Sequence, residues 1–180
     1  MTPLVRGDAE DLLALLVANR AFLEPFEPIR PASEFTLAGQ RAAIEELVAA
    51  HAAGAAYSFC IRAGGELIGR LTLSQVFRKA FRNCHLGYWV GEEHNGRGYA
   101  TAAVRAAVRL AFDDLGLHRV QANVMTRNRR SARVLEKAGF RKEGLALRYL
   151  AIAGRWEDHD MYAITVEDVA APGEPAAAAR

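Results

Sequence analysis

The residues best placed to do chemistry run from Leu86 to Thr101, Leu86-Gly87-Tyr88-Trp89-Val90-Gly91-Glu92-Glu93-His94-Asn95-Gly96-Arg97-Gly98-Tyr99-Ala100-Thr101, and lead into an alanine-rich stretch. The pattern is a strand, a loop with alternating glycines, then a helix. Glycine lacks a Cβ, so Gly96 and Gly98 let a ligand touch bare backbone. The first amides of a helix have no intrahelical acceptors and lie at the positive end of its dipole. Gly96 to Thr101 therefore read as a cradle for a diphosphate. A dinucleotide fingerprint would add a third glycine and an acidic residue about twenty positions on, and a triphosphate loop would end in Gly-Lys-Ser or Gly-Lys-Thr; neither is present. Farther on, Asn128 and Ser131 stand where a helix cap and a first-turn residue are favoured without any ligand. Arg129, Arg133 and Lys137 then repeat every fourth residue, which describes either a solvated helix face or a site for phosphates.

These groups need strands and helices to hold them, and periodicity supplies the order. Met1 to Gly7 allow at most a short strand, and Asp8 is placed to cap a helix carrying Leu12, Leu13, Leu15, Leu16 and Val17. Pro25, Pro28 and Pro31 interrupt regular structure, yet Phe22, Leu23 and Phe26 must pack somewhere. Residues 19–31 thus read as a lid over a cleft, or as a connector whose aromatics plug the core. A helix over 36–53, capped by Ser33 or Thr36, stops near Gly54. Tyr57–Arg62 and Glu66–Val76 form a hairpin turning at Gly64-Gly65. Asn83–Val90 is a strand with Cys84, Leu86, Tyr88 and Val90 on one face and His85, Gly87 and Trp89 on the other. The helix after the glycine loop is polar mainly at Thr101, Arg105, Arg109 and Asp113, so most of its circumference is buried, and Gly116 ends it. His118–Met125 alternates as a strand. Arg129–Ala138 is a helix stopped by Gly139, and Phe140–Ile152 with Trp156–Thr165 forms a last hairpin turning at Ala153-Gly154. This order predicts a mixed α/β (α+β) fold, not a doubly wound one.

At 180 residues, 51% hydrophobic and 24% charged, the chain fits one domain with a sizeable core. Residues 1–168 are assigned to that domain, and the Ala/Pro-rich segment 169–180 to a disordered tail. The absence of a membrane-length apolar run and of an export signal points to a cytoplasmic protein with no membrane partner. A net charge of +2 is too small to argue for nucleic acid. Cys60 and Cys84 have no metal-ligating spacing and read as reduced core residues.

The loop Asn95-Gly96-Arg97-Gly98-Tyr99-Ala100 resembles the diphosphate signature of the GNAT N-acetyltransferases, with Asn95 replacing the usual Gln or Arg. His118 to Gly144, including Asn128, Ser131, Leu135, Gly139 and Phe140, is similar to the carboxy-terminal half of that core. The lid residues 19–28, Tyr149-Leu150 and Gly154-Arg155-Trp156-Glu157-Asp158-His159 narrow the resemblance to the RimJ-like subfamily of ribosomal-protein-alanine N-acetyltransferases. The resemblance implies a GNAT fold: a mostly antiparallel central sheet with splayed middle strands and flanking helices. It implies acetyl-coenzyme A as co-substrate, no metal, and direct attack by an amine in a ternary complex. The cofactor-binding residues it implies are Trp89, Val90, Gly91, Asn95, Gly96, Arg97, Gly98, Tyr99, Ala100, Thr101, Asn128 and Ser131, with the pantetheine arm lying between the splayed strands. The Trp89 backbone amide is expected at the thioester oxygen, a kind of donor worth about 2.7–4 kcal/mol of barrier. Ser131 is expected near the sulfur, since Leu135 stands where many relatives have a tyrosine acid. His85 sits where several relatives place a general-base glutamate; its other reading is a residue filling the cleft wall. Asn123 holds another such glutamate position and cannot be a base.

An amine attacks only when neutral. A terminal α-amine, pKa about 7.7–8.0, is roughly a tenth neutral at pH 7, whereas a lysine at about 10.4 is neutral in only a few parts in ten thousand. An α-amine acceptor therefore needs only a weak base. The leading expectation is an acetyltransferase acting on the N-terminal alanine of a ribosomal protein. The alternatives are a small-molecule amine acetyltransferase of the same fold and a non-catalytic acyl-coenzyme A-binding or ribosome-assembly protein. Trp156, Glu157, Asp158 and His159 either line the acceptor pocket or stabilise the hairpin.

Overall fold

The computed structural model describes residues 1–169; the segment expected to be a tail lies, from residue 170 on, outside the described residues. The alternating stretches become the strands β1 (Thr2–Pro3), β2 (Tyr57–Ala63), β3 (Glu66–Phe77), β4 (Asn83–Val90), β5 (Arg119–Met125), β6 (Arg141–Ile152) and β7 (Arg155–Thr165). They form one sheet in the order β1-β2-β3-β4-β5-β7-β6. Every pairing is antiparallel except β4 with β5. The helices are α1 (Ala9–Ala18), α2 (Arg20–Leu23), α3 (Leu37–Ala52), α4 (Tyr99–Arg109), α5 (Arg129–Lys137) and α6 (Val166–Val169).

The alternation in each strand divides the core between the two faces of the sheet. α1 and α3 cover one face around Leu12, Ile44, Cys60 and Leu67, with Trp89 packed against them. α4 and α5 cover the other around Leu71, Val104, Val120, Leu135 and Ile164. Each such fully buried side chain contributes about 1.5–3 kcal/mol. Cys60 and Cys84 are buried free thiols on opposite faces, and desolvation pushes both up to about 12. No helix among the described residues is long and apolar enough to cross a membrane.

Local signals at the helix ends mostly act as read. The Thr36 hydroxyl accepts from the Gly39 amide (3.1 Å), and the Asn128 side chain accepts from the Ser131 amide (3.1 Å). Asp8 is the exception. Its backbone is already helical, so its carboxylate turns back to accept from the Val5 amide (2.8 Å) and from Arg62 (2.5 Å) instead of capping α1. α4 runs on into a wider π-type turn over Leu110–Asp114 before Gly116, at φ +62°, ends it.

Residues 19–31 resolve into α2, a short turn over Glu24–Phe26 and an extended run to Pro31. Leu23 is buried, but Phe22 and Phe26 line a cleft. The segment is therefore a lid and not a core plug. It is tied down on both sides. Ala153 N–H donates to the Glu27 carbonyl (3.0 Å), and the Asn19 side chain accepts from the Glu92 amide (2.7 Å).

Candidate active site

The site is built around a fault in the sheet. β4 and β5 pair over only Asn83↔Arg119, Cys84↔Val120 and His85↔Gln121. An Asn83 to Gln121 side-chain bond (3.0 Å) clamps the closed end. Beyond it β4 stays on β3 and β5 stays on β7, so Leu86–Val90 and Ala122–Met125 have no ladder partner across the gap. Buried backbone polar groups need partners. A slot with two such edges can accept an extended chain bearing amides of its own. The gap opens into a cleft of about 510 Å³, floored by these strands and roofed by Phe22, Phe26 and Pro28.

Alternation decides which amides face the slot. Gly91 N–H donates to the Ile68 carbonyl (2.8 Å), and Trp89 is paired with Arg70 on the same side. The Trp89 carbonyl lies so close to β3 that a Cβ on Gly69 would meet it at 2.3 Å. Trp89 N–H is thus turned to β3, and those of Tyr88 and Val90 point toward β5.

At the end of β4 the chain enters the glycine loop. Asn95 knits it, its side-chain amide donating to the Gly91 and Glu92 carbonyls (3.2 Å each). Gly96 (φ +76°) and Gly98 (φ +84°) are both left-handed. Gly98 is the residue before α4 and no side chain caps that helix. The first intrahelical bond there is Ala102 N–H to the Gly98 carbonyl (3.0 Å), which leaves the Tyr99, Ala100 and Thr101 amides pointing forward. They border a second cavity of about 530 Å³, whose far wall carries Arg130, Arg133 and Lys137. Helix amides and three cations around one space suit a diphosphate and its neighbouring phosphates.

Two polar groups flank the slot on opposite faces of the sheet. On the α5 side the Tyr88 and Ser131 hydroxyls bond each other at 2.9 Å. Burial pushes the Tyr88 phenol up to about 12, with the Ser131 bond acting the other way. The pair stays protonated at neutral pH. On the lid side stand Asn123, Tyr149 and His159, with the Asn123 side-chain amide donating to the Tyr149 hydroxyl (2.7 Å). Arg127 ties lid to sheet there, donating to the Pro25 carbonyl and to Glu157 (3.1 Å each).

Comparison with known proteins fits this geometry. Residues 1–141 match the Acetyltransferase (GNAT) domain family. The chain is 44% identical over 168 residues to the probable N-acetyltransferase YjcK of Bacillus subtilis (strain 168), covering 92% of this chain and 93% of that protein. The chain belongs to the GNAT acetyltransferase family. It is also 37% identical over 163 residues to the ribosomal protein uS5-alanine N-acetyltransferase of Escherichia coli (strain K12), covering 89% and 84% of the two chains. Mycobacterium smegmatis RimJ in complex with CoA-disulfide superimposes with a TM-score of 0.90 at 35% identity, over 93% of this chain and 81% of that one.

In this GNAT protein the loop residues Asn95, Gly96, Gly98, Tyr99, Ala100 and Thr101 come together with Val90 around one cavity. Asn128 and Ser131 line the cleft, with Asn128 also capping α5. Arg97 is in the loop but borders neither cavity. The basic stripe divides: Arg133 and Lys137 border the cradle together with Arg130, whereas Arg129 borders the cleft. Two expectations need correcting. The Trp89 amide is turned to β3, so the slot-facing donors are its neighbours. His85 sits on the last closed rung and lines neither cavity, because the strands part only after it. Burial, with Arg119 nearby, lowers its pKa. The contacts of Tyr88, Asn19 and Tyr149 are with partners distant in the chain, Ser131, Glu92 and Asn123, so no local pattern of residues points to them.

Proposed function

We propose that this GNAT protein moves the acetyl group of acetyl-coenzyme A to the α-amine of a peptide or protein N-terminus, with the N-terminal alanine of a ribosomal protein as its particular acceptor. The RimJ-like relatives support that acceptor. The diphosphate rests on the amides of Tyr99 to Thr101, with Arg133 and Lys137 nearby. The pantetheine arm occupies the slot as an added strand beside Asn128. The thioester oxygen takes a hydrogen bond from the Val90 or Tyr88 amide as it gains negative charge. The amine nitrogen attacks the carbonyl carbon from the lid side. The C–S bond then breaks with its electron pair on sulfur, and the Tyr88–Ser131 pair protonates the thiolate from the other face.

The observation that carries the acceptor class is the distribution of charge. Among the described residues lining the cleft Glu27 is the one carboxylate, and Arg30 holds both its oxygens (2.6 and 2.8 Å). Arg127, Arg129 and Arg130 border the same space. A polyamine needs acidic groups for its further ammonium centres and meets arginines here, whereas a peptide terminus brings a single amine that is already partly neutral. The cleft also reaches the surface at Phe26 and Leu150, both exposed, so a chain can continue outward.

Thiol release from acetyl-coenzyme A tests this with three acceptors: an Ala-starting peptide, the same peptide with its terminus blocked, and spermidine. Turnover with the free peptide alone is expected. Turnover with spermidine alone overturns the acceptor class, and no turnover with any acceptor overturns the activity.

A further inference from the structure

The lid-side wall of the slot holds a buried imidazole that the transfer chemistry above leaves unused. His159 is 3% exposed yet lines the cleft. It stands opposite Met125 in the β5–β7 ladder, on the same face as Asn123 and on the face away from Tyr88 and Ser131. Its Nδ1 lies 3.0 Å from the Glu157 carbonyl oxygen. A carbonyl only accepts, so Nδ1 carries the hydrogen and Nε2 keeps its lone pair. Tyr149 packs on the ring, with centroids 5.3 Å apart, and fixes its plane.

Beside it is an acceptor without a donor. Asn123 gives its side-chain N–H to Tyr149, and its Oδ1 is buried with no hydrogen-bond partner. Leaving such an oxygen unpaired is costly, and a ligand N–H that reaches it offsets that cost. Asn123 and His159 are diagonal neighbours on one face of adjacent strands and both line the cleft, so that wall offers two acceptors, which suits a primary amine with hydrogens to share. The charged groups around them do not compete for that position. Glu157 is held by Arg127, Asp158 accepts from the Arg148 amide (2.7 Å), and Glu27 of the lid is held by Arg30. None of these carboxylates is left as a free base in the cleft.

We infer that His159 is the general base of the transfer and that Asn123, oriented by Tyr149, positions the attacking amine. This rests on the acetyl-transfer reading. As the amine nitrogen forms its bond to the thioester carbonyl carbon, the C=O pair moves to oxygen and the nitrogen becomes acidic. One N–H proton passes to His159 Nε2 while another N–H stays on Asn123 Oδ1. The oxyanion's pair then re-forms C=O as the C–S bond breaks, and sulfur takes the C–S electron pair and a proton from the Tyr88–Ser131 side. Solvent then removes the proton from His159 and restores the one given to sulfur. The sum is amine plus thioester giving amide plus thiol.

The test is H159Q, measured with acetyl-coenzyme A and an Ala-starting peptide. Coenzyme A affinity by calorimetry should stay within about twofold of wild type, and kcat/KM should fall about 10²-fold or more, as for loss of a general base. The acid-side limb of the kcat/KM profile that belongs to the enzyme should vanish, while the limb of the peptide amine remains. A folded H159Q with kcat/KM within threefold of wild type overturns the assignment. If H159Q does not fold, wild-type protein labelled with 15N-histidine decides it. The Nδ1–H tautomer, with an Nε2 resonance shifted by the peptide in the presence of coenzyme A, is expected; the Nε2–H tautomer overturns it. Wild-type protein that acetylates no amine overturns the transfer reading itself and this inference with it, whereas an active wild type beside an unimpaired H159Q overturns the base assignment alone.

Discussion

Replacing Gly98 by alanine probes the cradle apart from the rest of the molecule. Gly98 has φ +84° and ψ −5° as the residue before α4. A Cβ built on it meets no atom within 4 Å, so clashes within the protein contribute nothing. What remains is the left-handed backbone, which costs an L-residue about 1–2 kcal/mol. If the loop keeps its shape in G98A, the full cost falls on folding. For a chain of this size about 1 kcal/mol corresponds to about 2–4 °C, so Tm should drop by about 2–8 °C. If the loop instead relaxes to negative φ, stability recovers but the Tyr99, Ala100 and Thr101 amides lose their common aim. Restoring them on binding then costs the same amount, about a 5- to 30-fold rise in the Kd of coenzyme A. Thermal scanning and calorimetric titration of the same sample measure both responses. Their free energies should together reach about 1–2 kcal/mol. Unchanged Tm with unchanged Kd would refute the assignment of residues 96–101 to the diphosphate.

Further outcomes follow from other parts of the site. Y88F removes the hydroxyl bonded to Ser131 at 2.9 Å. Because a thiolate, pKa about 8.5, leaves fairly well unaided, kcat should fall only about tenfold, with coenzyme A affinity unchanged by calorimetry. The double variant R133Q/K137Q removes two exposed cations facing the cradle. At about 0.5–1 kcal/mol each, coenzyme A should bind about 5- to 30-fold more weakly at low salt, and the difference should shrink in 1 M salt, where the screening length is about 3 Å. At the far end of β5, the His118 ring bonded at 2.8 Å holds the Glu167 carboxyl down at about 2, against an ordinary 4.5. A depressed carboxyl adds stability above its unfolded value and loses it as pH falls. Protection of the Val166 amide, bonded to the His118 carbonyl, should therefore fall relative to its intrinsic exchange rate as pH drops from about 4.5 toward 2, and E167Q should abolish that dependence.

How much of this was legible beforehand depends on how local each signal is. Strand alternation, Thr36 and Asn128 as caps, Gly116 and Gly139 as stops and the Gly64-Gly65 turn are each set by a few neighbouring residues, and the structure repeats them. The glycine loop was readable for the same reason: its φ values and the helix that follows are properties of one short segment. Asp8 does not cap α1 because its backbone is already helical and its carboxylate is taken by the Val5 amide and by the distant Arg62.

The chemistry lies across the chain instead of along it. Tyr88 and Ser131 are 43 residues apart, and Asn123 and Tyr149 are 26 apart. Which amide of β4 faces the slot is decided by its register with β3, and where the slot begins is decided by the last rung between β4 and β5. By itself, then, the sequence determined which elements form and where a glycine loop leaves the amides of a helix start bare, because dihedral preference and helix ends are local. Only tertiary structure decided that His85 and the Trp89 amide are turned away while Asn123 and His159 line one face of the gap and Tyr88 the other, because strand pairing alone sets which side of a strand looks outward.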